Sequence, residues 1–516
     1  MLAPAVLKGI RRGIEKESLR VRPDGNLAMT PHPAGLGSAL TNDHITTDFS
    51  ESQLELITGV HSDIESCLRE LTQIHQFVYR SLGEEIMWCA SMPCALPADD
   101  AIPIGQYGSS NVGRMKTVYR TGLSNRYGRR MQMISGIHYN FSLPDTVWPM
   151  KGLGLGESGE PNDAYFSLIR NFRRNAWLLF YLFGASPAVC SSFVAGRQHE
   201  LTSLAGGTYH LPGATSLRMG RLGYQSDAQA AIAASYNSIE QYGASLFEAL
   251  TRPYPPYEKI GIRDGDDYRQ LDTSLLQIEN EFYGKIRAKR VIRPGERPLH
   301  ALRERGVEYV EVRLMDLNPF CAIGIDAPTI RLLDVFLLHC LLADSPPDTP
   351  EEIAAMGRNQ NRVAARGREA GLQLERQGRQ VGLRDWGRQV LDECAPIAQA
   401  LDAAHGGSAY ADGLTAALGL LDNPDATPSA HVLDAIRKDH GNSYIDFALK
   451  HSLRHAAQIK ELALAPEVQN RFEIMAGHSL EEQRRIEASD TMPFEIYRQQ
   501  YLAPERLNAA PIRRRA

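Results

Sequence analysis

Carboxylates recur at even spacing in three short segments of the sequence, a pattern that could hold divalent cations. The segments are GIEKESLRV, DFSESQLELIT and YVEVRLMDLNP, and their carboxylates belong to Glu15, Glu17, Glu51, Glu55 and Glu311. A fourth segment, IHYNFSLP, carries His138 and Asn140 at the same spacing. Because residues i and i+2 of a strand point to one side, each segment predicts a strand with one polar face.

The opposite faces of these predicted strands are apolar. Their residues are Ile14, Leu54, Leu56, Ile137, Tyr139, Phe141, Val310 and Val312. One such strand by itself is interpreted equally well as the solvated edge of a sheet, and His138 by itself as a histidine satisfied within the core. The pattern recurs, however, with no lysine on the acidic faces and with an arginine or histidine nearby. We therefore expect an acidic cavity for hard cations, most commonly Mg²⁺ with a nucleotide.

Composition and charge argue against several classes of protein. The 516 residues are 43% hydrophobic and 23% charged, as in ordinary globular chains, and the formal net charge is −5. A nucleic-acid-binding protein would show a strong basic excess. The seven cysteines include no CxxC pair, which favours buried thiols in a reducing compartment over a disulfide framework. We expect a cytoplasmic protein with no nucleic-acid partner.

The stretch from Trp177 to Val194 is nearly uncharged and is the strongest candidate for a membrane span. Gly184 and Pro187 interrupt its second half, so we expect a buried helix that ends near Gly184. The N-terminus has no apolar run of signal-peptide length. Neither feature therefore points to a membrane partner.

The organisation of the chain changes after Pro328. Before it, we expect helices over 61–83, 163–183 and 228–250 and strands over 275–293 and 306–316. After it, the spacing predicts helices over 329–343, 350–370, 384–404, 408–421, 428–437, 443–462 and 480–500. Because the acidic strands come from both ends of the first 320 residues, they must pair across long distances. We expect an α+β fold and one catalytic unit over 1–516, with a sheet-rich core (1–328) and a mainly helical part (329–516) packed on it.

Basic residues accompany the acidic segments. Arg287 and Lys289 lie in a predicted strand, Arg313 lies two residues from Glu311, and Arg218 follows a loop rich in Gly and Thr. A cationic rim beside an acidic metal cavity suits phosphoryl transfer. For any single arginine, a salt bridge between strands is the simpler interpretation.

The glycine-rich stretches do not supply a phosphate loop. The pattern GxxxxGK[ST] is absent from the sequence. GLGLGESGEP (152–161) lacks the preceding apolar strand that a dinucleotide-binding loop requires, and it predicts a surface loop. A nucleotide site must therefore be built on the sheet.

Long blocks of the sequence carry a family resemblance. They include GIEKESLRV, LGSALTNDHITTDFSESQLELIT, QYGSSNVGRMKTVYRTGL, MISGIHYNFSLP, YLFGASPAVCSSF, LQIENEFY, IRAKR and GVEYVEVRLMDLNP. In this order they resemble the bacterial type of glutamate–cysteine ligase, also called γ-glutamylcysteine synthetase. The resemblance runs from about residue 9 to about residue 345 and continues more faintly to about residue 484.

The resemblance implies a fold like that of glutamine synthetase, in which a curved, mostly antiparallel sheet forms the active-site cavity. It implies that ATP and about two or three Mg²⁺ ions, or Mn²⁺ in their place, phosphorylate the γ-carboxylate of L-glutamate. The amine of L-cysteine then attacks the γ-glutamyl phosphate, in the first step of glutathione biosynthesis. Glutathione is the expected feedback inhibitor, and we expect a monomer.

The resemblance also assigns roles to residues. The implied metal ligands are Glu15, Glu17, Asp48, Glu55, His138 and Glu311, so that Asp48 takes the place of Glu51. The implied catalytic residues are Arg218 and Arg313, which would bind the glutamate carboxylate or the transferred phosphoryl group. The implied cysteine pocket consists of Phe49, Tyr119, Leu123, Gln132, Tyr224 and Tyr283. We add Asn140 as a substrate-binding residue, and Arg287 and Lys289 as residues that bind ATP.

Two other functions remain open from the sequence. One is a related carboxylate–amine ligase that joins glutamate to ammonia or a polyamine. The other is a catalytically inert, nucleotide-binding relative of such an enzyme. The implied cysteine pocket argues against the first alternative, and the complete acidic set argues against the second.

Overall fold

The computed structural model describes residues 2–148, 161–223, 227–230, 232 and 234–508. Two sequence predictions therefore lie outside the described residues: the surface loop within GLGLGESGEP, apart from its last residue, and the position of Tyr224. The strands are β1 Arg11–Val21, β2 Ile45–Thr47, β3 Gln53–Ile57, β4 Ile86–Met87, β5 Ile137–Ser142, β6 Ala188–Cys190, β7 Thr202–Ser203, β8 Thr208–His210, β9 Arg263–Asp264, β10 Asp267–Tyr268, β11 Ile286–Lys289, β12 Tyr309–Met315, β13 Gln373–Arg376 and β14 Arg379–Gly382.

Helices connect and cover these strands. They are α1 Pro4–Lys8, α2 Ile64–Ser81, α3 Asn111–Tyr127, α4 Arg129–Gln132, α5 Pro161–Phe183, α6 Ser191–Val194, α7 Asp227–Ala230, α8 Ile239–Thr251, α9 Pro255–Ile260, α10 Pro298–Arg305, α11 Ala327–Leu342, α12 Pro350–Arg366, α13 Leu383–His405, α14 Ala409–Asp422, α15 Pro428–Asp439, α16 Tyr444–Glu461, α17 Pro466–Ser489 and α18 Phe494–Leu502. Short 3₁₀ turns include Leu217–Met219 and Glu279–Glu281.

One antiparallel sheet organises the first 315 residues. Within the described ranges its strand order is β11-β12-β5-β1-β3-β2, and β4 pairs with the far end of β1. Every pairing in it is antiparallel, as predicted. The register of β12 against β5 shifts between Val312 and Met315. Such an irregularity bends a strand and increases the twist of the sheet.

One face of this sheet is apolar and the other is polar, as the alternation of residue types along the strands predicts. The eight predicted apolar residues are all fully buried: Ile14, Leu54, Leu56, Ile137, Tyr139, Phe141, Val310 and Val312. Helix α5 lies against β11 and β12, α2 lies against β1 and β3, and α11 packs on both helices. Because the side-chain period of a strand is two, burial of this face directs the acidic residues to the other.

Several predicted helices are confirmed. Helix α2 begins after Asp63, whose carboxylate accepts a hydrogen bond from the Ser66 amide at 2.8 Å. Helix α5 is buried and ends at Phe183, directly before Gly184. No helix among the described residues is long and apolar enough to cross a membrane.

The strand predicted over 275–293 is wrong except at β11. Glu279 and Glu281 lie in a 3₁₀ turn, because buried arginines bind both carboxylates. Arg297 donates to Glu279 at 2.8 Å, and Arg126 donates to Glu281 at 3.0 Å. These long-range ion pairs hold the chain away from the sheet, and strand propensity alone cannot reveal them.

Three other boundaries differ from the prediction. Helix α8 begins only after Ser238, whose hydroxyl caps the Gln241 amide at 3.2 Å. The helix predicted over 480–500 is two helices separated before Pro493, a residue that cannot continue an existing helix. The helical part also contains the hairpin β13–β14, whose turn has positive φ at Gln377 and Gly378.

The expectation that all seven cysteines are thiols is wrong for two of them. Cys94, in the loop after β4, forms a disulfide with Cys190, the last residue of β6, across 96 residues of sequence. The free thiols are those of Cys67, Cys89, Cys321, Cys340 and Cys394. Sequence spacing could not reveal the pair, because the fold alone brings these two positions together.

A buried ion pair ties the apolar face of the sheet to α11. Asp334 of α11 accepts from Arg12 of β1 at 3.0 Å and from the Tyr139 hydroxyl of β5 at 2.5 Å. Neither charged side chain is more than 1% exposed. Asp334 therefore connects β1, which carries Glu15 and Glu17, and β5, which carries His138 and Asn140, to the helical layer behind them.

Replacing Asp334 with alanine leaves the Arg12 guanidinium buried without its carboxylate partner. We expect the free energy of unfolding to fall by about 3–5 kcal/mol, because an uncompensated buried charge is strongly destabilising. Urea unfolding followed by circular dichroism measures the change. Asp392→Ala, at an exposed position of α13, is the control and should stay within about 0.5 kcal/mol of wild type. A loss for Asp334→Ala no larger than that of the control contradicts this role.

Candidate active site

The strand register brings the predicted acidic residues together on one face. The opposed pairs are Glu15 with His138, Glu17 with Glu55, and Asn140 with Glu311. Directly opposed residues of antiparallel strands project from the same face, with Cβ atoms about 4.5–5.5 Å apart. Four adjacent strands therefore contribute to one polar surface.

The His138 imidazole lies at the centre of this surface. Its Nδ1 atom is 3.1 Å from Oε2 of Glu15 and 3.5 Å from Oε1 of Glu311. Its Nε2 atom is 3.5 Å from Oε1 of Glu17. Asn140 donates from Nδ2 to Oε1 of Glu15 at 2.8 Å. Carboxylates from β1 and β12 thus converge on one imidazole of β5.

Neighbouring charges shift the pKa values of these carboxylates in opposite directions. Burial raises the pKa of Glu55 well above its ordinary value, and the nearby charges of Glu15 and Asp48 raise it further. Burial opposes ionisation of Glu311 as well, but Arg313 beside it helps to hold its pKa well below the ordinary value. The pKa of Glu17 is raised as well, chiefly by burial, whereas, against the opposing effect of burial, the hydrogen bond with His138 helps to lower that of Glu15. The acidic surface is therefore least compensated at Glu17 and Glu55 and is charge-compensated at Glu311.

Asp48 reaches this surface from the turn after β2. Its carbonyl accepts hydrogen bonds from the Tyr107 hydroxyl at 2.6 Å and from Nε of Arg120. Its charge raises the pKa values of Glu17 and Glu55, after the larger effect of burial. Asp48 therefore lies close enough to the acidic strands to affect their ionisation, and its role as a metal ligand stays a prediction.

Glu51 does not share the acidic face with Glu55. It precedes β3, and its two carboxylate oxygens accept from the amides of His32 at 2.6 Å and Gln106 at 2.5 Å. The even spacing of Glu51 and Glu55 indicated one strand face, but β3 begins only at Gln53, so Glu51 lies outside the strand. Glu51 therefore holds two loops together.

Cations line the side of the surface near β11 and β12. Arg313 donates from Nη1 to Oε1 of Glu311 at 2.8 Å, and Nζ of Lys289 lies 3.5 Å from Oε2. Arg287 is 4.0 Å from the same Oε2 and donates its other Nη atom to two carbonyls in the turn before β11. Lys289 is thus the less constrained of the two residues predicted to bind ATP.

Arg218 approaches the surface from the 3₁₀ turn and is 1% exposed. Its guanidinium donates to the Arg313 carbonyl at 2.9 Å and lies 3.8 Å from Asp316. It packs so closely over Gly136 that a Cβ atom there would collide with it. The Gly136 amide in turn donates to Glu17 at 2.8 Å. The two predicted catalytic arginines therefore adjoin each other beside the carboxylates.

The sequence reasoning missed Asp316 as a positioning residue. Its carboxylate accepts from the Ala185 amide at 2.9 Å and from the hydroxyls of Ser186 at 2.8 Å and Ser216 at 3.0 Å. It thereby fixes the turn that carries Arg218 against the end of β12. The sequence feature that could have identified Asp316 is its place in the segment YVEVRLMDLNP, which also carries Glu311 and Arg313.

The described residues of the predicted cysteine pocket come from α3, α4, the segment before β11 and the turn after β2. Tyr119 and Leu123 are four residues apart on α3 and share a face of that helix. Gln132 ends α4 and donates from Nε2 to the Tyr283 hydroxyl at 3.0 Å. Burial raises the pKa of Tyr119, and the neighbouring Tyr283 adds to this shift. Phe49 is buried directly after Asp48.

The donor set fits a hard divalent cation. Glu15, Glu55 and His138 each offer one donor atom, and these atoms all lie within 4.8 Å of one another. Oε2 of Glu311 and Oδ1 of Asn140 are buried and accept no hydrogen bond. Carboxylate and amide oxygens are the ligands preferred by Mg²⁺ and Mn²⁺.

Replacing Glu55 with glutamine removes one of the mutually repelling carboxylates and one donor atom. We expect a higher unfolding temperature in the absence of metal and loss of stabilisation by Mg²⁺. For the wild type, Mg²⁺ at about 100 times its dissociation constant adds about 2.7 kcal/mol to the free energy of unfolding. Differential scanning fluorimetry with EDTA or with added Mg²⁺ measures both effects.

The control for this experiment is Glu481→Gln, at an exposed position of α17. It should behave as wild type under both conditions. A Mg²⁺-dependent shift of Glu55→Gln as large as that of wild type contradicts the assignment of Glu55 as a ligand.

Sequence comparison relates the chain to one family. The family model described as glutamate-cysteine ligase matches residues 2–363. A curated protein named glutamate–cysteine ligase from Pseudomonas entomophila (strain L48) is 49% identical over 498 residues, which cover 95% of this chain and 93% of that protein. One with the same name from Alcanivorax borkumensis is 47% identical over 508 residues, 97% of each chain.

Structural comparison gives the same result. A crystal structure of glutamate–cysteine ligase from Francisella tularensis in complex with AMP matches with a TM-score of 0.91 at 36% identity, covering 96% of this chain and 97% of that one. The α+β class predicted from the sequence, with its antiparallel sheet and helical C-terminal part, is confirmed. The chain belongs to the glutamate–cysteine ligase family.

Proposed function

We propose that this chain uses ATP to join the γ-carboxylate of L-glutamate to the amine of L-cysteine through γ-glutamyl phosphate. This reaction is the first step of glutathione biosynthesis. The observation that carries the proposal is the convergence of carboxylates from β1 and β12 on His138, with Glu55 of β3 within 4.8 Å, beside two adjoining arginines, in a member of this family. Such a surface suits the transfer of a phosphoryl group between two anions.

The first step requires the γ-carboxylate to attack the terminal phosphorus of ATP while ADP leaves. Divalent cations, when bound by the acidic surface, would screen the repulsion between these anions. We assign Glu15, Glu17, Asp48, Glu55, His138 and Glu311 to hold these cations. Arg218 and Arg313 then stabilise the negative charge on the transferred group. Lys289 and Arg287 are assigned to ATP.

The second step forms the new amide. The neutral amine of cysteine attacks the acyl carbon of γ-glutamyl phosphate, the carbon–oxygen bond to phosphate breaks, and the nitrogen releases a proton. The apolar and aromatic residues Phe49, Tyr119 and Leu123, with Gln132 and Tyr283, are proposed to accept the –CH₂SH group. Discrimination against serine by size and polarity is worth about 1–3 kcal/mol. Glutathione, which carries both amino-acid moieties, is the proposed inhibitor of the same site.

The choice of amine is tested by measuring ADP release with ATP, Mg²⁺ and L-glutamate and a panel of amines. We expect cysteine to give the highest kcat/KM, because the proposed pocket is small and apolar. Serine, 2-aminobutyrate, ammonia and putrescine are the comparison amines. Highest activity with ammonia or putrescine would identify a different carboxylate–amine ligase, and ATP binding without ADP formation would identify an inert relative.

Glu17→Gln and Glu311→Gln test the acidic surface in catalysis. Each removes a negative charge without changing size, and we expect kcat to fall on the order of 10³-fold while the protein stays folded. The coupled ADP assay measures turnover, and circular dichroism checks folding. Glu461→Gln, at an exposed position of α16, should keep wild-type turnover. Near-normal turnover of either variant at saturating Mg²⁺ would exclude its assigned role.

A further inference from the structure

A cavity of 380 Å³ lies beside the candidate active site, between α5, α12 and the segment that leads into β11. Four cationic side chains line it: Arg173, Arg218, Lys285 and Arg313. Tyr283, which is assigned to the cysteine pocket, lines it as well. The cavity therefore adjoins the end of the site where we place the amino-acid substrates.

Three of the four cations have their own carboxylate within ion-pair distance. The pairs are Arg173 with Asp348 at 2.7 Å, Arg218 with Asp316 at 3.8 Å, and Arg313 with Glu311 at 2.8 Å. Among the described residues, Lys285 has no anionic partner. The one charged group that shifts its pKa there is Arg173, whose positive charge repels the ammonium group. Among the described side chains that line the cavity, Lys285 is thus the one cation without a carboxylate within ion-pair distance.

The surroundings of Lys285 make a positive charge on its side chain energetically unfavourable. Burial lowers the pKa of its amine to about 7, and the positive charge of Arg173 contributes to the shift. Its backbone cannot move away easily, because its carbonyl accepts a hydrogen bond from the Arg313 amide at 2.8 Å. A partly buried ammonium held without a counter-charge destabilises the ligand-free protein. A ligand that supplies an anionic group would remove this penalty.

We infer that Lys285 binds the α-carboxylate of an amino-acid substrate in this cavity. The inference rests on the proposed function, because both glutamate and cysteine carry an α-carboxylate that the phosphoryl-transfer groups do not use. The ATP phosphates are the less suitable partner. Of the two residues assigned to ATP, Lys289 lies four residues further along the extended segment, which is about 13 Å at the rise of a β-strand. Arg287 lies two residues away, but one of its Nη atoms donates to two carbonyls in the turn before β11.

Lys285→Met removes the charge and keeps an unbranched apolar stem. We expect the KM of one amino acid to rise about 10- to 100-fold, as for the loss of a hydrogen bond to a charged group. The kcat and the KM of ATP should remain near wild type. A rise confined to cysteine or to glutamate identifies whose carboxylate Lys285 binds, and a rise in both means that each contacts it. Lys285→Arg keeps the charge and should restore most of the affinity.

Thermal unfolding distinguishes a ligand-binding lysine from a structural one. Without ligand, Lys285→Met should unfold at the same or a higher temperature than wild type, because an uncompensated charge is removed. The upward shift that the identified amino acid produces in wild type should be reduced in the variant. Lys259→Met, at an exposed position of α9, is the matched control and should change neither quantity.

Two results would overturn the inference. The first is amino-acid KM values of Lys285→Met within twofold of wild type, whatever happens to kcat or to the KM of ATP. The second is a lower unfolding temperature of the ligand-free variant with an unchanged ligand-induced shift, which would indicate a structural role. Lys285→Gln provides the same measurements if Lys285→Met does not fold. Absence of ADP formation by the wild-type protein with glutamate and cysteine would instead contradict the proposed function.

Discussion

The structure depends on keeping several carboxylates close together on one sheet face. Two like charges 4 Å apart repel by about 4 kcal/mol at an effective dielectric constant of 20, so the acidic surface opposes its own formation. The raised pKa of Glu55 is the sign of this repulsion, after the larger effect of burial. Only a rigid support can hold such groups in place, and a site for hard cations requires this arrangement.

The support comes from the opposite face of the same strands. Glu15, Glu55 and Glu311 each have a fully buried apolar neighbour on the opposite face, such as Ile14, Leu54 and Val312. A slip of one residue would place the carboxylates in the apolar core and the apolar side chains in the site, so the register is strongly specified. The ion pair of Arg12 with Asp334 adds a second constraint, because it connects β1 to the helical layer. Stability and site geometry therefore have a common origin.

Cations and anions are distributed unevenly along the sheet. On the β12 side, Arg313 and Lys289 compensate Glu311, whereas Glu17 and Glu55 lie opposite each other on β1 and β3. The β1–β3 side is where a metal ion would supply the missing positive charge. At the neighbouring cavity, Lys285 has no anionic partner among the described residues, and an amino-acid carboxylate is its proposed partner. The acidic side at β1 and β3 thus suits a bound cation, and the unpaired Lys285 suits a bound anion.

The sequence by itself predicted the features that depend on local periodicity. Alternation of polar and apolar residues indicated β1, β5 and β12, and long blocks of residues indicated the family. It failed where a distant partner decides the local structure: Glu279 and Glu281 leave the predicted strand because Arg297 and Arg126 bind them. The disulfide of Cys94 with Cys190 was missed for the same reason.

Residue types and their spacing determined which side chains could bind a metal ion and a phosphoryl group. Only the tertiary structure decided which of them meet. It explains why Glu51, which the family resemblance had already replaced by Asp48, lies apart from Glu55: β3 begins only at Gln53. It also added Asp316, because three distant groups donate to its carboxylate. It also left Lys285 without a counter-charge among the described residues. The physical reason is that periodicity acts over neighbouring residues, whereas charge compensation depends on distances in space, which only the folded chain defines.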